Sequence, residues 1–269
     1  MKLFGQPVAS MYLWAIALLL LLAAYSAYAL HQFPYSLSLA AVLAPLVELA
    51  TLRILHRPMK APWSGIITGL IIGEVAPINA PMAAIAVACV AAILSKYIIR
   101  VKGSNVFNPA AFGMLIGLAI FALEDAWWGA AGIPMQGLAL PASIIFVIAS
   151  YKSGRLVASL SFAATVIVLT VLSGGSASPY SVLVAAFGVN YFFALLMLAE
   201  PKTTPYRNRA QAAYGAGIGV AYEALAVLGV SYPYFLALLL GNIAYAAYRK
   251  KGQRLWQPGK TAASQSQSG

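Results

Sequence analysis

An all-α polytopic membrane protein, about ten transmembrane helices arranged as two inverted five-helix repeats, is the fold this sequence predicts. Three observations lead there. The chain is 62% hydrophobic and only 9% charged, with a mean hydropathy of +0.83, whereas a soluble domain is about a quarter charged. Apolar runs of membrane-spanning length follow one another from end to end. The basic residues fall only in alternate connections between those runs.

Taken in order, the predicted spans are 12–30, 38–55, 64–75, 82–99, 109–123, 139–151, 156–173, 180–199, 212–230 and 233–248. Residues 1–11 form a short N-terminal segment. The run after it is longer than a usual signal-peptide core and is followed directly by further spans, so it reads as a retained first helix. Residues 12–123 make one five-helix unit and 139–248 the other. The tail 249–269 opens with Arg249, Lys250, Lys251 and Arg254 and ends in TAASQSQSG, which predicts head-group contact followed by disorder.

The charges test the count. With both termini cytoplasmic, all seventeen Lys and Arg residues lie on the inner side, from Lys2 through Arg53, Lys96, Lys152 and Lys202 to the tail. The outer connections carry only Glu124 and Asp125. An error of one span would scramble this alternation, so a multi-pass cell-membrane protein with inward termini is expected.

Composition also excludes function classes. The net charge of +11 sits at helix ends facing lipid, and basic residues are not interleaved with aromatics, so nucleic acid is not an expected partner. Cys89 is the one cysteine, and His31 and His56 are the two histidines, both in predicted loops. No iron–sulfur cluster, paired haem ligation or histidine metal site can come from this chain alone. No phosphate-binding loop or nucleophile elbow is present, and GAGIG at 215–219 falls within a span.

The inverted repeat shows in GIITGLIIGEVAP, which reaches Glu74 and Pro77, and FGVNYFFALLMLAEP, which reaches Glu200 and Pro201. The two acids are 126 residues apart, and Asn108 and Tyr232 open later spans at comparable distances beyond them. An odd number of spans per unit turns the second copy upside down, and such repeats hold broken helices around a shared site.

The strings TGLIIG (68–73), LSKYIIRVKGSNVFNPAAFG (94–113), SYKSGRLVASLSF (150–162), EPKTTPYRNR (200–209) and YPYFLALLLGNIAYAAY (232–248) occur in one order. In that order they resemble the RnfD/NqrB family, membrane subunits of the ion-translocating Rnf and Na⁺-pumping NADH:quinone reductase complexes. The resemblance covers roughly 60–250. It implies ten spans in two inverted units and a place in an electron transport complex beside other membrane and redox subunits. It also implies covalent flavin mononucleotide on a threonine of an outer loop. Here the matching stretch 123–141 has no Ser or Thr, and a phosphoester needs a hydroxyl, so covalent FMN is not expected. Ser176 and Ser178 stand in the wrong loop. A second flavin, riboflavin or FMN held non-covalently, is implied on the inner side. The positions that match are Asn105, Asn108, Glu200 and Thr203, with Glu200 in place of the family's usual Asp.

Each of these residues also has a plainer explanation. Asn108–Pro109 is a good helix start, and Thr203 or Thr204 would cap span nine. Glu48, Glu74 and Glu223 are candidates for an ion pathway, since a carboxylate in lipid is expensive to keep; bonding between helices is the alternative for Glu48 and Glu223. Gly65, Gly69 and Gly73, like Gly215 and Gly219, share a helix face and predict close packing. Trp127 and Trp128 are expected as interfacial anchors. Two functions remain: a membrane subunit of an electron transport complex that binds flavin non-covalently, and a channel or secondary transporter of the same fold without redox activity.

Overall fold

A computed structural model describes residues 2–3, 6–131, 147–175 and 178–255. A two-residue pairing of β1 (Lys2–Leu3) with β2 (Gln6–Pro7) leads into α1 (Val8–Leu30). Then come α2 (Tyr35–Ile54), α3 (Trp63–Val75) and α4 (Met82–Ile98). A hairpin of β3 (Arg100–Val101) and β4 (Ser104–Asn105) joins α4 to α5 (Pro109–Phe121). Its two-residue loop has positive φ at Lys102 and Gly103, the backbone that a tight hairpin requires. Past the short α6 (Trp128–Ala131) and a helical segment at 147–152 lie α7 (Leu156–Ser173), α8 (Pro179–Gly188), α9 (Asn208–Val227) and α10 (Pro233–Leu255).

The protein is an all-α polytopic membrane protein. Among the described residues, three stretches have both the length and the apolarity to cross a bilayer: Tyr12–Leu30, Tyr35–Ile54 and Leu156–Ser173. The helices α3, α4, α5 and α8 are apolar but shorter. Most boundaries fall within a few residues of expectation, and span seven is reproduced in full. Most of span six lies outside the described residues.

Span eight departs from the continuous helix expected over 180–199. It stops at Gly188, Val189 is extended, and the chain resumes as a π-helical turn over Phe193–Met197. Asn190 accepts the Phe193 N–H with its side chain at 2.9 Å, and the Tyr191 hydroxyl donates to the Ala186 carbonyl at 2.7 Å. These bonds satisfy backbone groups freed by the break, which lipid would leave unpaired.

The halves share a contact plan: α2 meets α3 and α4, and α4 meets α5, while α7 meets α8 and α9, and α9 meets α10. Close approach follows from glycine. A Cβ at Gly69 would lie 2.3 Å from the Ala40 carbonyl oxygen, one at Gly113 2.3 Å from that of Ala88, and one at Gly215 2.1 Å from that of Ala158. The stripes on spans three and nine are therefore packing faces, as the four-residue spacing predicts.

Between the halves, α5 and α10 run antiparallel. The Tyr232 hydroxyl at the start of α10 donates to the carbonyls of Leu123 (2.7 Å) and Leu118 (3.2 Å) at the end of α5. At the opposite end Lys102, just before α5, donates to the Arg249 carbonyl late in α10 at 3.0 Å. The Lys102 side is called the basic end below, and the side of Glu124 and Asp125 the far end.

Candidate functional site

At the basic end, α2, α3 and α4 enclose an ion pair. Lys96 Nζ lies 3.0 Å from Glu48 Oε1 and donates to Ser64 Oγ at 2.9 Å, and the Tyr97 hydroxyl donates to the same Glu48 oxygen at 3.1 Å. Both charged residues are 5% exposed. Arg57 stacks on the Tyr97 ring from outside. Such a pair persists in a low dielectric only where extra hydrogen bonds offset desolvation, and Ser64 and Tyr97 supply them. Glu48 Oε2 has no hydrogen-bond partner among the described residues, and a Cβ at Gly65 would sit 2.6 Å from it.

Lys96 also faces the second half, within electrostatic reach of Glu200 and Lys202. Glu200 Oε2 accepts from the Thr203 hydroxyl at 3.1 Å, and the Thr204 hydroxyl donates to the Leu198 carbonyl. Neither threonine caps α9, contrary to expectation. The N-cap is Arg207, with no side-chain bond, because the two hydroxyls are drawn back onto their own turn.

Asn108 is the N-cap of α5, its side-chain oxygen accepting from Ala111 N–H at 3.0 Å. Its Nδ2 donates to the Met197 carbonyl at 2.9 Å, and its backbone N–H donates to Asn242 Oδ1 at 2.8 Å. Asn242 in turn donates to the Tyr214 hydroxyl. Asn108 thus ties α5 to the last residue of the π-helical turn and to α10, with both ends of its amide engaged by the protein. Asn105 is buried, and its carbonyl accepts from Arg249 at 3.1 Å. The FNP turn and the EPKTTP turn therefore meet on one side of the molecule.

Glu74 lies at the far end. It is fully buried, and neither carboxylate oxygen has a hydrogen-bond partner among the described residues. Gly129 caps it so closely that a Cβ there would lie 2.5 Å from Oε2. Trp128 Nε1 donates to the Gly73 carbonyl at 2.6 Å, and Ser26 Oγ to that of Gly129 at 2.8 Å. Trp128 is buried, and Trp127 stacks on Phe235 and meets Phe193 and Tyr234 edge-on. Trp128 is a core residue and not the interfacial anchor expected, and Trp127 is half-buried against the core. The loop folds inward because backbone N–H groups of Ala126 and Trp127 bond the Val75 carbonyl.

Glu223 is half-buried toward the far end of α9 and accepts from Thr170 of α7 at 3.0 Å. Of the acids singled out in the sequence, Glu48 is paired with Lys96, Glu200 with Thr203 and Glu223 with Thr170, while Glu74 has no hydrogen-bond partner among the described residues. Ser178 caps α8 in a reciprocal capping box with Ser181. Among the described residues no three His, Cys, Asp or Glu side chains gather as metal ligands.

Sequence reasoning missed Lys96. The buried stripe of α4 carries Ile85, Ala88, Cys89, Ala92 and Ile93, and Lys96 continues it one turn further. Helical spacing alone places that lysine facing inward. Asn242 and Tyr214 had no comparable signal.

The amide of Asn108 already serves the fold. Glu200, half-buried, is the residue here suited to the polar edge of a flavin ring, with its carboxylate held by the buried Thr203 hydroxyl. A family model described as the NQR2, RnfD, RnfE family matches residues 6–139, taking in α1 to α6. No curated protein matches the chain.

Proposed function

Because this chain belongs to the NQR2, RnfD, RnfE family, we propose that it is a membrane subunit of an ion-translocating electron transport complex and holds a flavin, riboflavin or FMN, non-covalently at its cytoplasmic, basic end. The carrying observation is the polar cluster where the halves meet, with Glu200 and Thr203 on the turn that Asn108 braces. Glu200 accepts from a ring N–H and orients the flavin, Thr203 fixes that carboxylate by donating to its Oε2, and Asn108 holds the turn. The bound flavin supplies the electron-transfer chemistry, and the protein supplies position and surroundings. Other membrane and redox subunits complete the assembly, since nicotinamide-binding sequence is lacking in this chain. Multi-pass insertion in the cell membrane with the basic end inward accords with the charge distribution.

Glu48, Glu74 and Glu223 are assigned to the ion pathway on the same reading, with Glu48 held by Lys96. The hydroxyl-free stretch 123–141 favours one rival, a channel or secondary transporter of this fold without redox activity.

Purification in mild detergent followed by a visible spectrum tests the choice. The expected result is an oxidised-flavin band whose chromophore leaves the protein on denaturation, with flavin content sharply reduced by Glu200→Ala. A colourless, folded preparation overturns the flavin reading and favours the transporter.

A further inference from the structure

The carboxyl of Glu74 is enclosed by the fold and bonded by none of it. It sits in the last turn of α3, fully buried, and neither oxygen has a hydrogen-bond partner among the described residues. No Lys or Arg among them pairs with it. The elements packed on α3 are α1, α2, α4, α5 and α6. Their titratable groups away from the basic end are Tyr25, Tyr28, Tyr35 and Cys89, with Glu124 and Asp125 just before α6, and none of these bonds Glu74.

A lid running from Ala126 to Gly129 closes over this carboxyl. The N–H groups of Ala126 and Trp127 donate to the Val75 carbonyl at 2.9 and 3.2 Å. Trp128 Nε1 and Ser36 Oγ donate to the Gly73 carbonyl at 2.6 and 3.2 Å, and Ser26 Oγ donates to that of Gly129 at 2.8 Å. Gly129 lies against the acid itself: a Cβ there would be 2.5 Å from Oε2 and 2.6 Å from the Cβ of Glu74.

A carboxylate in such surroundings is strongly unfavourable, and a buried acid without partners is neutralised instead. A metal cation would neutralise it only with several further oxygen ligands. The adjoining carbonyls of Gly73, Val75 and Gly129 are already engaged by N–H or O–H donors, and no three His, Cys, Asp or Glu side chains gather among the described residues. A proton needs one carboxyl oxygen alone. We propose that Glu74 is a proton-binding site occluded beneath the Ala126–Gly129 lid, and that the ion it carries is a proton and not a metal cation. Opening of the lid admits water from the far end. The carboxyl O–H bond then breaks, the proton passes to that water, and a proton taken back restores the neutral acid before the lid closes. The inference rests on the placing of Glu74 in the ion pathway.

Infrared spectra of the full chain in lipid at neutral pH test the site, since the C=O stretch of an un-ionised carboxyl stands apart from carboxylate and amide bands. Glu74→Gln should remove one such band from the wild-type spectrum. In D2O the band should move slowly, and Gly129→Ala should speed that exchange roughly tenfold or more, because overpacking weakens the closed lid. Gly217→Ala, with open space around it, should leave the exchange unchanged. Replacing potassium chloride by sodium chloride at fixed pH should leave the band intensity unchanged. If Glu74→Gln fails to fold, Glu74→Asp decides, and the band should then shift in position. Four results overturn the site: no band lost or shifted in the Glu74 variants, a band that weakens as sodium replaces potassium, exchange complete at once in the wild type, or exchange that Gly129→Ala fails to speed. The readout needs no flavin. A colourless protein that keeps the Glu74 band loses the flavin reading alone, and a flavin-bearing protein without that band loses the proton site alone.

Discussion

At the scale of single residues, the side chains that matter are those with no room to fail. Lys96 and Glu48 are both buried, so removing one partner strands the other. Lys96→Met should destabilise the protein by roughly 3–5 kcal/mol, read as a lowered thermal midpoint in detergent. Glu48→Gln with Lys96→Met should recover most of that loss, because no charge is then stranded; a double variant no better than the single one would mean that the pair is not the cause. Asn108 serves three partners at once, capping α5, holding the Met197 carbonyl and meeting Asn242. Asn108→Ala should cost roughly 2–4 kcal/mol, a cap plus a buried hydrogen bond. Asn108→Ser keeps a capping acceptor near the Ala111 N–H and loses the donor to Met197 without adding charge, so its midpoint should fall between those of the wild type and the alanine variant. Equal midpoints for alanine and wild type would remove the brace.

At the scale of elements, glycine sets how near the helices lie. The α2–α3 contact places the Gly69 Cα against the Ala40 backbone, with no flexible side chain able to yield. Gly69→Ala should therefore force the helices apart at about 1–3 kcal/mol, the usual range for overpacking. Gly217→Ala has open space around it and should change stability by a few tenths at most, or raise it by helix propensity. Thermal midpoints of the two variants side by side decide this; similar effects at both positions would contradict the packing. The broken span eight belongs here too. Its residues are apolar enough to read as one helix, and hydropathy averages over the break. Gly188 and the cap by Asn190 are the local signs, and such signs occur in unbroken helices as well.

At the scale of the whole molecule, the antiparallel pairing of α5 with α10 brings the FNP and EPKTTP turns together and sends Glu124 and Asp125 to the other end. Single cysteines can report this, because Cys89 is fully buried and should contribute little background. In sealed vesicles, Lys102→Cys and Lys202→Cys should react with a membrane-impermeant thiol reagent from one side, and Glu124→Cys from the other. All three positions are exposed. Labelling of positions 102 and 202 from opposite sides would reject the arrangement.

By itself the sequence determined the class and most helix boundaries, since composition, run length and the alternation of basic loops act locally along the chain. It also placed Asn108 as a cap and the glycine stripes as packing faces, because helical spacing carries that information. Only the tertiary structure decided the partners: Lys96 for Glu48, Met197 and Asn242 for Asn108, Gly129 over Glu74, and an inward fold for Trp127 and Trp128. These pairings join residues tens of positions apart or more. They depend on which faces meet when helices close in lipid, and in a medium without water a buried polar group has only what the packing puts beside it to bond.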